Sequence, residues 1–323
     1  MLRQLKYLTL LAVPVLLCAM TDGARAQAPS RLTIASGPIS GAFYPMAGVF
    51  GKLIEEAHPG TTVTVTTGGG VENLPKVAAG VADVGFTQAD IYASAINATA
   101  PYDKAIPGTA ALGYLGFVPQ AFFLVREGSD YTSIEDLIAK KQKIRLVLPP
   151  RNNGGELIVQ RLLAQLGASY ADIDAWGGSV AFMGYSEASG LIADGHADAY
   201  VGPVIGAIQE MITQTRMRLL PWPEKAIDGI LDQGYEKRTM PAERYYFMAA
   251  ATPMPALKNI IVVPEKMDPS FVSSLAEILV KHEKDIQQSA SMFQTYAAAN
   301  LAKVTGGPLH PGAASYYKSQ GIE

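Results

Sequence analysis

Leu32-Thr33-Ile34-Ala35 leads into Ser36-Gly37-Pro38-Ile39-Ser40-Gly41-Ala42-Phe43-Tyr44, and Pro45-Met46 opens the stretch that follows. The first four residues read as a short buried strand and the next nine as a glycine-rich loop. Pro45 stands where a helix can start, because a missing N–H costs nothing in a first turn. Met46, Val49, Phe50, Leu53, Ile54 and Ala57 then fall at i, i+3, i+4, i+7, i+8 and i+11, which is one apolar helical face. His58-Pro59-Gly60 ends it.

The same order recurs. Residues 62–67 alternate Thr and Val and read as a strand. Gly68-Gly69-Gly70 is a loop, and residues 72–79 read as a helix closed by Gly80. Val84-Gly85-Phe86-Thr87 is a third strand, with a helix over 88–95. Strand, loop and helix three times over mean a parallel α/β sheet. Residues 112–127 break the rhythm: they are long, apolar and interrupted by Pro119, and read as a connection leaving the first domain. A second α/β unit follows. Ser133-Ile134-Glu135-Asp136 offers a capping box, 143–148 is a strand, 149–155 a loop, and 156–166 a helix stopped by Gly167. Residues 186–194 form a helix closed by Gly195, and 199–201 a strand. Beyond a Pro-rich stretch, 260–263 is a strand, and Phe271, Leu275, Ile278, Leu279 and His282 mark a helical stripe in which His282 is expected to be packed. A chain of 323 residues suits two domains of roughly 150 each.

Arg3 and Lys6 precede an apolar run over 7–19, and Ala24-Arg25-Ala26 is an A-x-A cleavage signal. That order is a secretory signal peptide with cleavage expected after Ala26. The apolar run is too short for a spanning helix, which needs about 20 residues. Cleavage removes Cys18, the only cysteine, so the mature chain has no disulfide, no cysteine nucleophile and no cysteine-containing zinc site. It also removes Arg3, Lys6 and Arg25 against Asp22, taking the formal charge from −3 to −5. Such a chain is not built to coat nucleic acid.

Three loops follow strands and open helices: 37–44, 66–73 and 151–155. In an open α/β sheet such loops lie at the carboxyl ends of the strands, where ligands bind. Helix starts supply unpaired N–H groups and partial positive charge, and glycine lets a ligand approach the backbone. One glycine loop is ordinarily only a turn; three together point to a cleft for a small anion. No nucleotide motif is present: Gly68-Gly69-Gly70 lacks the Lys-Ser/Thr of a P-loop, and Gly37-x3-Gly41 is not G-x-G-x-x-G. No cofactor motif is found. His58, His196, His282 and His310 offer no i, i+4 pair. Ser186, in Gly184-Tyr185-Ser186-Glu187-Ala188, lacks the second glycine of a nucleophile elbow. Asp83 and Asp90 read as helix caps rather than paired acids. The expectation is a binding protein, not an enzyme.

The linear order resembles the TAXI family, the extracytoplasmic solute receptors associated with TRAP transporters. The resemblance is carried by residues 32–37 through Gly41-Ala42-Phe43-Tyr44-Pro45, by Thr66-Thr67-Gly68-Gly69 through Glu72-Asn73-Leu74, and by Gly80 through Asp83 to Gln88 and Asp90. Tyr185-Ser186-Glu187-Ala188 and Pro308-Leu309-His310-Pro311-Gly312-Ala313 with Tyr316-Tyr317 complete it. The resemblance implies a type II periplasmic-binding-protein fold, two α/β lobes around a ligand cleft. Lobe I would be 27–118 with 256–323, lobe II 119–255, and the signal peptide 1–26. The crossing segments would match Val118-Pro119-Gln120 and 252–255.

By the same resemblance, Ser40, Phe43, Tyr44, Thr67, Gly68, Asn73 and Gln88 would meet the ligand from lobe I. Asn152, Gly154, Gly155, Tyr200, Gly202 and Pro203 would do so from lobe II. Phe43 and Tyr44 would pack on the ligand body, and Gln88 would hydrogen-bond it. The second-lobe loop departs from the family's common Ser-Gly-Thr: it is Asn152-Asn153-Gly154-Gly155 after Arg151. Arg151 either clamps a carboxylate or points to water. The implied role is that of a periplasmic monomer that takes a small organic acid or amino acid to TRAP transporter membrane subunits, with no cofactor, metal or nucleic acid. A receptor of the same fold for an ABC importer or sensor kinase is the alternative, and an enzyme on this fold a more distant one.

Overall fold

The computed structural model describes residues 28–323; the signal segment and Cys18 lie outside them. The first unit is β1 (Arg31–Ala35), α1 (Phe43–Ala57), β2 (Thr62–Thr66), α2 (Gly70–Ala78), β3 (Val84–Gln88), α3 (Ala89–Asn97) and β4 (Thr109–Pro119). The second is β5 (Phe122–Arg126), α4 (Ile134–Ala139), β6 (Arg145–Leu148), α5 (Gly154–Gln165), α6 (Tyr170–Ala175), β7 (Ser179–Phe182), α7 (Tyr185–Ala193), β8 (Ala199–Gly202), α8 (Ala207–Gln214), β9 (Met217–Leu220) and α9 (Glu224–Asp228). The chain then returns through β10 (Glu236–Met240) and β11 (Thr252–Pro264) to α10 (Pro269–Lys281), α11 (Glu283–Ser289) and α12 (Pro311–Ser319).

Two sheets result, and they share one plan. In the first, β2, β1 and β3 run parallel and β11 lies antiparallel between β3 and β4. In the second, β7, β6 and β8 run parallel and β5 lies antiparallel between β8 and β9. The fold is thus α/β, two lobes of the type II periplasmic-binding-protein plan.

Side-chain alternation explains why the first sheet needs cover on both faces. Along β11, Ile261 and Val263 enter the layer of α1 and α10, with Phe50 and Leu275, while Ile260 and Val262 enter the layer of α2 and α3, with Leu74 and Ile91. A strand buried on both faces is apolar without interruption, which is how 260–263 reads in the sequence.

Residues 112–127, expected to be a connection, are two strands. β4 pairs with β11 along Thr109–Pro119, and β5 begins three residues later in the other sheet. At the corner Ala121 takes a left-handed φ of 57°. Two hydrogen bonds hold the corner: Gln120 N–H donates to the Pro255 carbonyl (2.8 Å), and the Trp222 indole donates to the Ala121 carbonyl (2.6 Å). Residues 236–240, which the sequence reading placed in the middle segment, form β10 and pair with 252–256 of β11 in the first sheet. His282 is not packed as expected: it ends α10 with its side chain 39% exposed and its Nδ1 2.9 Å from the Asp285 carboxylate.

Trp222→Phe keeps an aromatic side chain, smaller than the buried indole, and deletes the donor, leaving the Ala121 carbonyl unpaired. A loss of about 1–3 kcal/mol is expected, seen as a melting temperature lowered by roughly 2–4 °C per kcal/mol in a differential scanning calorimetry comparison with the parent chain.

Candidate functional site

Where the lobes meet lies a partly open chamber of about 30 Å³, room for one or two waters. Four side-chain amides line it: Gln88 from the end of β3, Gln120 from the β4–β5 corner, Asn153 before α5, and Asn259 from β11. Asn153 accepts from the Gly155 N–H (2.9 Å). The other three are 7%, 3% and 1% exposed, and the carbonyl oxygen of each has no hydrogen-bond partner among the described residues. Leaving a buried polar atom unpaired costs roughly 1–3 kcal/mol, and a polar group seated in the cavity would recover that cost. Strand register puts these three together: Gln88 stands opposite Asn259 across β3 and β11, and Gln120 is tied to Pro255 of β11 through its backbone. Each amide can present either its carbonyl or its NH2 group to a ligand.

Among the described residues, no charged side chain lines the chamber. Its positive potential comes from helix starts. Ala42, Gln88 and Asn153 are the residues that open α1, α3 and α5, Tyr185 is the first residue of α7, and all four line the chamber. α1, α3 and α7 open without a side-chain cap, and α5 is capped by Asn153. Uncapped first-turn N–H groups, with the dipole behind them, suit an anion. Tyr185 adds a phenol that burial holds in its protonated, donating form.

Of the residues singled out from the sequence, Phe43 and Gln88 line the chamber. Phe43 packs on Phe86 with ring centroids 5.2 Å apart. Gly154 and Gly155 back onto it: a Cβ at Gly154 would stand 2.9 Å from the Gln88 amide oxygen, and one at Gly155 would stand 3.0 Å from that of Gln120. The others lie outside the lining. Asn73 is fully buried, but its NH2 group is spent on the carbonyls of Ala35, Ser36 and Phe86, where it ties the ends of β1 and β3 together. Gly68 is small because the Asn73 amide oxygen lies against it. Tyr200 donates to the carbonyl of Pro203 (2.9 Å), and Gly202 makes room for the Tyr200 hydroxyl. Thr67 is exposed; Ser40 and Tyr44 are half-buried. Arg151 lies over the Phe182 ring at 3.8 Å, exposed and outside the chamber, and Asn152, with φ 61°, gives its N–H to Glu156. Gln120, Asn153 and Asn259 were missed. Asn153 was visible as a helix-opening residue; Gln120 and Asn259 sit in strand and corner positions where nothing local marks them.

Asp83 and Asp90 are not caps either. Asp83 accepts from the Thr33 N–H (2.7 Å). Asp90 pairs across the cleft with Arg161 of α5 at 3.0 Å, and Arg161 also reaches the Tyr235 hydroxyl. Burial pushes the Asp90 carboxyl above the usual carboxylate range, and the Arg161 charge offsets only part of this. Both partners sit on helices whose starts line the chamber, Asp90 on α3 and Arg161 on α5.

A family model for the NMT1-like family matches residues 34–321 of the chain. Among solved structures, PhnD1 from Prochlorococcus marinus (MIT 9301), in complex with methylphosphonate, is 13% identical, with a TM-score of 0.54 over 92% of this chain and 100% of its own. A protein from Bordetella bronchiseptica RB50 is 17% identical, with a TM-score of 0.52 over 91% and 89%. The periplasmic aliphatic sulphonate binding protein SsuA from Escherichia coli is 16% identical, with a TM-score of 0.47 over 90% and 84%. These likenesses concern the fold.

Two substitutions test the site's supports. Glu156 is buried under the loop it holds, and burial raises its carboxyl above the ordinary range. The unfolded chain therefore releases this proton at lower pH than the folded one, and stability is lost as pH rises through that window. Glu156→Gln retains an acceptor for Asn152 and escapes the loss. Its melting temperature is expected to exceed the parent's near neutrality, with the difference closing at about pH 4. Arg161→Met leaves Asp90 buried and unpaired while the lobes touch, a penalty of about 3–5 kcal/mol that opening relieves. Small-angle X-ray scattering is expected to show a larger radius of gyration than the parent's.

Proposed function

The chain belongs to the NMT1-like family, and on that footing we propose that it is an extracytoplasmic solute receptor that captures a small organic anion and delivers it to a membrane transporter. The observation that carries this reading is the chamber: three buried amides with unpartnered carbonyl oxygens and three uncapped helix starts face one cavity between the lobes. Such a site suits binding, and among the described residues its lining is amides, aromatic and apolar side chains and glycine. Ligand contacts to both lobes would shift the population from open to closed, and Asp90–Arg161 would form with closure.

The ligand set we propose is Phe43, Gln88, Gly154 and Gly155 with Gln120, Asn153 and Asn259. The lobes divide near Pro119 and again before β10, with 28–118 and 236–323 in lobe I. Resemblance to the TAXI receptors supports a carboxylate or amino-acid ligand, TRAP transporter membrane subunits as the partner, removal of residues 1–26 and a periplasmic monomer. The PhnD1 complex supports a second ligand class, the phosphonates, on the same fold. A receptor docking on an ABC importer would use the same chamber, and transport reconstituted with each type of membrane partner separates the two.

A thermal-shift screen of the chain lacking residues 1–26 tests the reading, using amino acids, C4 and C5 dicarboxylates, 2-oxo acids, aromatic acids and alkylphosphonates. A true ligand at 100 times its Kd stabilises by about 2.7 kcal/mol, which raises the melting temperature by several degrees at roughly 2–4 °C per kcal/mol. Gln88→Leu is expected to abolish that shift while leaving the free protein folded. No shift from any anion would remove the receptor reading.

A further inference from the structure

Beside the chamber lies a groove of about 500 Å³, within the range of small-molecule sites. Val118, Ile205 and Met292 line both spaces, so one layer of side chains separates them. Met292 is the movable member of that layer. It is unbranched and only half-buried, and its sulfur sits 3.5 Å from the Asn259 amide nitrogen inside the chamber. A turn of this flexible thioether joins chamber and groove.

The groove's lining states what it would take. Its walls include Phe117, Phe122, Tyr245 and Met240, and no carboxylate lines it. Two guanidiniums do. Arg238 lies over the Phe117 ring at 4.3 Å with its charge shared by Glu236 (2.7 Å). Arg244 lies 5.8 Å from the Tyr245 ring and makes no ion pair among the described residues. Aromatic walls favour a flat apolar body, and the exposed guanidiniums draw an anion toward the groove from a distance. The chamber alone is too small for a whole organic acid. We propose that chamber and groove are two compartments of one site, and that the ligand is an aromatic carboxylate whose ring occupies the groove while its polar end reaches the amides past Met292. This rests on the receptor reading and deepens it.

Isothermal titration of the chain lacking residues 1–26 with 4-hydroxybenzoate, phenylacetate, succinate and glutamate decides it. The aromatic acids are expected to bind at least tenfold more tightly than the two aliphatic diacids. Thr239→Trp, on the exposed β10 wall of the groove, is expected to weaken aromatic binding at least tenfold, with circular dichroism reporting an intact fold. Arg244→Gln is expected to weaken it severalfold and to flatten its dependence on salt. Succinate or glutamate binding as tightly as the aromatic acids, or aromatic binding unaltered in Thr239→Trp, would overturn the two-compartment site and leave the receptor standing. If none of the four acids nor any other anion binds, the receptor reading and this proposal fall together.

Discussion

Strand β11 holds the molecule in register. It pairs with β3, with β4 and with β10. Across the sheet, Asn259 stands opposite Gln88 on one side and Gly116 on the other. Bulges in the β4 ladder on either side of the Ile260–Ile261 step add local twist. Two of the three unpartnered chamber amides are therefore placed by backbone hydrogen bonds of a single sheet. The third, Gln120, is anchored to the same strand through Pro255. A sheet ladder is a rigid mount for the backbone that carries these amides.

The electrostatics follow from the same plan. Parallel strands followed by helices aim several helix starts at one place, and two such sheets face to face aim them at a shared cavity. Positive potential is supplied by peptide dipoles that are already fixed and already desolvated, without the cost of burying a cationic side chain. Charged groups are used instead at the margin. Asp90 and Arg161 span the lobes beside the chamber rather than inside it, where pairing compensates their desolvation only while the lobes touch.

Much of the fold was legible because its signals are local. The strand–loop–helix order of the first unit, the glycine stops at Gly80, Gly167 and Gly195, and the Ser133 cap all depend on residues within a few positions of one another. The elements that were missed are short or half-exposed. β7 and β9 have four residues each, and β10 is mostly exposed, so neither a period nor an apolar run announces them. The residues 112–127 misled for a different reason: Pro119 looked like an interruption, whereas it ends one long strand just before the chain turns into the other sheet.

For the site, the sequence by itself determined the loops, the helix starts and the presence of Phe43 and Gln88 among them, since a glycine-rich loop between strand and helix is a local pattern with a local cause. Only the tertiary structure decided which polar groups face the cavity. Asn73 and Tyr200 are as polar as Gln120 and Asn259, yet they lie outside the chamber lining, with their donors turned to backbone carbonyls and the unpartnered Asn73 amide oxygen against Gly68. Arg151, a plausible clamp in one dimension, lies on Phe182 in three. Whether a buried amide is free or spent depends on partners brought from distant parts of the chain by sheet pairing, and no spacing along the sequence encodes that.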